Sequence, residues 1–213
     1  MAKGRVTAVA RNKGPEIGND EMGRRLVSFD WALKRLLRSK ANFGILEGFL
    51  SELLVSDIKI LEILESESNK QHARDKSNRV DMKVRDKEDR IFIIELQYSR
   101  ENDYHQRILY STSKVVTEHM EQGDDYDKVV KVISVNILYF DLGQGKDYVY
   151  HGRQIYRGRH FDDELQLSEG QKKIFNVEAA HEMYPETYLI KVNQFDDVAK
   201  DSLDEWIYFL KNE

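Results

Sequence analysis

The 213-residue sequence is 40 % hydrophobic and sets 33 Lys and Arg against 38 Asp and Glu, a net charge of -5. That describes a globular chain with a sizeable core and no overall attraction to polyanions. The absence of cysteine excludes a disulfide framework, a thiolate metal site and a cysteine nucleophile, and points to a reducing compartment. No apolar run approaches the ~20 residues of a membrane helix, and "MAKGRVTAVARNKG" lacks the apolar core of a signal peptide. The sequence reads as cytoplasmic, without a membrane partner.

Residues 1–20 are polar and aperiodic, which predicts a flexible arm ahead of a single domain over 21–213. Leu26, Phe29, Leu33, Leu36 and Leu37 follow helical spacing, and Phe43, Leu46, Phe49, Leu50, Leu53 and Leu54 predict a second helix. The first helix is basic: Arg24, Arg25, Lys34, Arg35, Arg38 and Lys40 stand against Asp30 alone. Such a face can hold phosphates, Arg35 and Arg38 being the candidates, or it can simply be solvated. "DIKILEIL" (57–64) predicts a strand, and a long polar loop follows it. "RVDMKVRDKEDRIFIIELQ" (79–97) predicts two strands turning at "RDKEDR". "DYHQRILYSTSKVVTEHMEQG" (103–123) predicts a helix with Tyr104, Ile108, Val115 and Val116 inward and its end at Gly123. "KVVKVISVNILYF" (128–140) is apolar on both faces, as a central strand covered on both sides must be. Beyond Phe140 the pattern weakens over 141–213; "DYVYHGRQIYRGRHF" predicts one or two strands and "SLDEWIYFLKNE" a closing helix.

Polar residues inside the hairpin are the chemical signal. Alternation puts positions 91, 93, 95 and 97 on one face, so Glu95 and Gln97 are neighbours. It also puts Val80, Met82 and Val84 together and turns Asp81 the other way. Antiparallel pairing about a turn near Lys87 brings Asp81 to the Glu95 end. Two carboxylates in an apolar setting repel one another, and a divalent cation relieves both the repulsion and the cost of burial. Hard ions such as Mg²⁺ take carboxylate oxygens, waters and phosphate oxygens together, as phosphodiester-cleaving sites require. The competing arrangement pairs Glu95 with Lys83 or Arg85. On the second helix, stepping ~100° per residue from Leu50, Glu47 falls about 60° away, at the apolar border, and Glu52 about 200° away, in water. Glu47 is therefore a candidate third acid, with Glu65 and Glu67 as rivals.

These residues resemble the PD-(D/E)XK nuclease superfamily and, more narrowly, the recombination-promoting nuclease/putative transposase family of bacteria. The resemblance is carried in order by "ANFGILEGFLSELL", "DIKILEILESESN", "NRVDMKV", "IIELQ", "DYHQRILYSTSK", "KVVKVISVNIL" and "EWIYFLK". It implies an α/β fold, a restriction-endonuclease-like mixed β-sheet core with flanking helices (αβββαβ). It further implies hydrolysis of DNA phosphodiesters with Mg²⁺, or alternatively Mn²⁺, Asp81 and Glu95 as metal ligands, and help from the Leu96 carbonyl. DNA is the implied partner, and a homodimer is left open. Position 97 departs from the superfamily: Gln replaces Lys, so a dipole stands where a cation would polarise the attacking water. Gln97 can orient a water but cannot act as its general base. An alternative is therefore a restriction-like DNA-binding or protein-interaction module with little cleavage, and an RNA nuclease is a third option.

Arg107, about one turn from Tyr104, suits a phosphate through its forked guanidinium; Tyr104 itself suits the core. The histidines show no mutual metal spacing. "GQG" and "GRG" lack the context of a phosphate loop, so no nucleotide cofactor is expected.

Overall fold

The computed structural model describes residues 42–64 and 80–212. The basic helix with Arg35 and Arg38, and the rival acids Glu65 and Glu67, lie outside the described residues. Within them the element order is α1 (Phe43–Leu54), β1 (Ile60–Leu64), β2 (Met82–Asp86), β3 (Ile91–Gln97), α2 (Tyr104–Glu118), β4 (Val132–Leu138), β5 (Val149–Gly152), α3 (Glu169–Phe175), β6 (Glu186–Lys191) and α4 (Ser202–Asn212). No helix among the described residues is long and apolar enough to cross a membrane.

Six strands form one mixed sheet in the order β1-β2-β3-β4-β6-β5. The first three are antiparallel neighbours, β3, β4 and β6 run parallel, and β5 returns antiparallel at the edge. Among the described residues this is a restriction-endonuclease-like α/β arrangement, a mixed sheet with helices flanking it. All seven residues of β4 are buried, as a parallel strand packed on both faces must be.

Each face of the sheet has its own core. Phe92, Ile94 and Leu96 of β3, with Ile133, Val135 and Ile137 of β4, pack under Leu46, Phe49 and Leu50 of α1 and Ile207 and Leu210 of α4. The two helices meet closely at Gly48, where an added Cβ would lie 3.1 Å from the Trp206 ring. Ile91, Ile93 and Val132 point to the opposite face and meet Val115 of α2, while Tyr104 and Ile108 of α2 cover Leu138 and Phe140. The helix at 43–54 and the closing helix agree with the helical spacing of their apolar residues.

Several local expectations are corrected. Val80 packs with Ile91 and Ile93 rather than with Met82 and Val84, because the chain bends at Asp81 and alternation starts only at Met82. The α2 helix stops at Glu118, five residues before Gly123. Gly123 does take a left-handed conformation, φ +99°, but in the turn beyond. Two elements of the C-terminal third, α3 and β6, are absent from the expected order. The β6 segment "ETYLIK" mixes polar and apolar residues without clean alternation, and its partners β4 and β5 lie far away in sequence.

Between β5 and β6 the chain makes an excursion. Residues 153–178 contain no buried residue. They hold a small hairpin joined at Arg157 and Glu164, and the α3 helix, capped by a reciprocal Ser168–Gln171 box.

Candidate active site

The β2–β3 hairpin places its acids at its open end. Met82 stands opposite Ile94 and Arg85 opposite Ile91, so the next position outward sets Asp81 against Glu95. Asp81 Oδ2 accepts a hydrogen bond of 2.8 Å from the Leu96 amide, which locks the bend onto β3 beside Glu95. Glu95 is buried, at 4 % exposure. It lies on the α2 side of the sheet, since Ile91 and Ile93 face that way. Arg107, in the first turn of α2, lies 3.7 Å from Glu95, which puts Glu95 under the start of that helix.

Glu95 does not pair with Lys83 or Arg85. Lys83 reaches Glu118 at 3.4 Å, and Arg85 binds Glu62 and Asp89. Among the described residues a cation facing Glu95 is Arg107, 3.7 Å away, and Arg107 also binds Glu101 at 2.8 Å. Burial disfavours the Arg107 charge, but Glu95 and Glu101 outweigh it and hold its pKa above the ordinary arginine value. Gln97 donates through Nε2 to the Ser99 carbonyl at 2.9 Å and to Glu101 at 3.0 Å. Its amide nitrogen thus orders the loop between β3 and α2, and its carbonyl oxygen makes neither contact.

Tyr104 is 1 % exposed and donates a 3.0 Å hydrogen bond to Asn136 Oδ1. Asn136, opposite Glu95 on β4, donates in turn to Ser134 Oγ and to the Tyr188 carbonyl. Desolvation foremost, then the Glu95 charge, pushes the phenol well above its usual pKa, so Tyr104 stays a neutral donor and no base. Sequence reasoning missed Glu101, Ser134 and Asn136. The last two carried a usable signal: polar residues at alternate positions of an apolar strand, as Glu95 and Gln97 are.

Glu47 is not brought to this cluster. Its Oε1 accepts from the Ile60 amide at 2.8 Å, and Ile60 pairs with Asp86 at the hairpin's turn end. Five residues of strand at ~3.3 Å each, or roughly 17 Å, separate Asp86 from Asp81 along β2. Glu47 does lie at the border of the apolar face, half-buried, but α1 packs on the face of Phe92, Ile94 and Leu96, opposite to that of Glu95.

Among the described residues no group of three or more His, Asp or Glu side chains could hold a metal ion. A two-carboxylate donor set instead fits a hard ion that keeps most of its shell as water and phosphate oxygen, the habit of Mg²⁺. No curated protein and no solved structure matches the chain. The family model for the PD-(D/E)XK nuclease family transposases matches residues 27–213, nearly the whole sequence and every element just described. The chain belongs to the PD-(D/E)XK nuclease family transposases.

Proposed function

We propose that the chain is a metal-dependent DNA endonuclease of the cytoplasm, acting in DNA recombination or on mobile elements, with Asp81 and Glu95 as ligands for Mg²⁺ or Mn²⁺. The observation that carries this reading is the hairpin's open end, where Asp81 is fastened to the Leu96 amide beside a buried Glu95. When bound, the ion supplies Lewis-acid stabilisation of the charge that develops on the phosphate. The protein's own groups do the rest. Arg107 counters the Glu95 charge and presents a forked donor set toward a phosphate. Gln97 keeps the β3–α2 loop in place with its amide nitrogen and offers its carbonyl to orient the attacking water. Tyr104, held neutral against Asn136, fixes the start of α2 over the site. Arg35 and Arg38 are proposed, on sequence grounds, as contacts to the DNA backbone.

The test is incubation of supercoiled plasmid with the purified chain in Mg²⁺, Mn²⁺ or EDTA. Nicking that needs the divalent ion and disappears in Asp81→Asn and Glu95→Gln is the expected result. A second reading, a binding module with little cleavage, draws on one observation: the group replacing the superfamily lysine has its amide nitrogen engaged by Ser99 and Glu101. Retained DNA binding without nicking in either ion would favour it.

A further inference from the structure

In the loop between β3 and α2 a carboxylate oxygen joins two groups of the proposed site. Glu101 Oε1 accepts from Gln97 Nε2 at 3.0 Å and from the Arg107 guanidinium at 2.8 Å. Through its other terminal nitrogen Arg107 lies 3.7 Å from Glu95. The first contact to Arg107 is a hydrogen bond and the second is only an ion-pair approach. The more exposed acid thus holds the shorter contact, the Glu101 side chain being 31 % exposed and that of Glu95 5 %.

That division runs against what the two acids would do alone. A buried carboxylate has the greater need of a cation in hydrogen-bond contact, because water does not reach it. An arginine seated fully on Glu95 would take the oxygen lone pairs that a hard ion uses, so guanidinium and ion compete for the same acid. Glu101 pulls Arg107 the other way, and the Tyr104 ring, 5.9 Å from the guanidinium carbon, supports the arginine in that pose. The same Glu101 oxygen, with the Ser99 carbonyl, takes the amide nitrogen of Gln97. Which end of the carboxamide faces the loop is thereby fixed.

We propose that Glu101 is a positioning residue of the metal site: it holds Arg107 off Glu95, so that the ion rather than the guanidinium takes the buried acid, and it sets the direction of the Gln97 carboxamide. The proposal rests on the nuclease reading and adds to it a residue that acts through Arg107 and Gln97 without touching ion or DNA. Two plainer roles exist for an acid at this place. It can favour the positive end of the following helix, and its charge can attract a cation directly. Neither of them passes through Arg107.

The experiment measures Mn²⁺ binding to the full chain by calorimetry, without DNA, in the parent, Glu101→Ala, Arg107→Met and the double variant. Glu101→Ala should weaken binding by about threefold, the scale of a half-exposed charge pair, because Arg107 then moves onto Glu95. With Arg107→Met already in place, Glu101→Ala should lose that effect. In plasmid nicking at saturating Mn²⁺, the Gln97→Ala, Glu101→Ala double variant should be no slower than the slower of the two single variants. Parent-like Mn²⁺ binding by Glu101→Ala would overturn the proposal. So would a weakening that persists with Arg107→Met, which would mean that the charge acts directly, or full multiplication of the two nicking defects. Loss of folding in Glu101→Ala, read from its melting midpoint, would make the acid a structural part of the loop and overturn the proposal too. In all these cases a parent that binds Mn²⁺ and nicks plasmid keeps the nuclease reading; a parent that does neither removes that reading and the proposal with it.

Discussion

The two ends of one hairpin satisfy their carboxylates in opposite ways. At the turn, Asp86 is 1 % exposed. Its Oδ1 accepts from the Glu88 and Arg90 amides at 3.0 and 2.9 Å, and its Oδ2 from the Arg90 guanidinium at 2.8 and 2.7 Å. All four donors come from the turn itself, so the acid closes its own loop. At the open end, Asp81 reaches across to β3 and Glu95 faces Arg107 on α2. These acids join separate elements, Asp81 through the Leu96 amide and Glu95 through Arg107. The contrast teaches that burial alone does not distinguish a turn-closing acid from the acids proposed here as metal ligands; the origin of their partners does. A carboxylate saturated by its own turn is structural, whereas a pair assembled from different elements can exchange a partner for an ion.

The comparison breaks if the two ends respond alike to substitution. The largest effect is expected at the open end: Asp81→Asn and Glu95→Gln should each lower plasmid nicking by at least about a hundredfold, the scale of single charge-stabilising groups, with thermal midpoints close to the parent's. Asp86→Ala should do the reverse. Stranding Arg90 beside a buried turn should lower stability by about 3 kcal/mol, a melting shift of roughly 6–12 °C for a chain of this size, while the nicking rate per folded molecule stays unchanged. Equal loss of folding at both ends would make Asp81 and Glu95 structural.

Smaller effects sharpen the contrast. Arg107→Met removes the cation facing Glu95. It should tighten Mn²⁺ binding by about fivefold, as expected for one half-exposed charge pair, and at the same time slow nicking; calorimetry and plasmid assays read the two separately. Tyr104 gives a pH signature. Its folded-state pKa lies above the ordinary value of 10.0, so its share of stability is complete below that pH and is lost as pH rises beyond it. Tyr104→Phe should therefore flatten the alkaline fall in melting temperature, at a cost of about 1 kcal/mol at neutral pH for the lost Asn136 bond. Gln97 is expected to matter least. Gln97→Ala should slow nicking only severalfold, and Gln97→Lys should match or exceed the parent, its ammonium shared between the site and Glu101.

Much of this was legible in the sequence where the signal is local. The hairpin, the second helix, the central strand and the closing helix each carry a period that belongs to one element. The turn at "RDKEDR" followed from its charge, and the approach of Asp81 to Glu95 followed from the turn. What escaped depends on distant segments. Strand β6 exists because β4 and β5 flank it, and Glu47 escaped because the angle of a side chain on a helix does not say which face of the sheet that helix covers. Asn136 lay open to the same alternation that singled out Glu95, yet its partner Tyr104 sits 32 residues away.

The unburied excursion of 153–178 has a consequence for how this fold can vary. The strands on either side of it are antiparallel neighbours, with Gly152 opposite Thr187, so the chain leaves and re-enters the sheet at nearly one point. Loop-closure cost grows only slowly with length, and no core side chain lies in the segment. The edge hairpin therefore tolerates exchange of the segment it carries. A short turn could replace residues 153–178, or a longer module could be spliced in, with the α2 face and its acids left as they are. Diversification by exchange of outboard parts is built into the order of the strands.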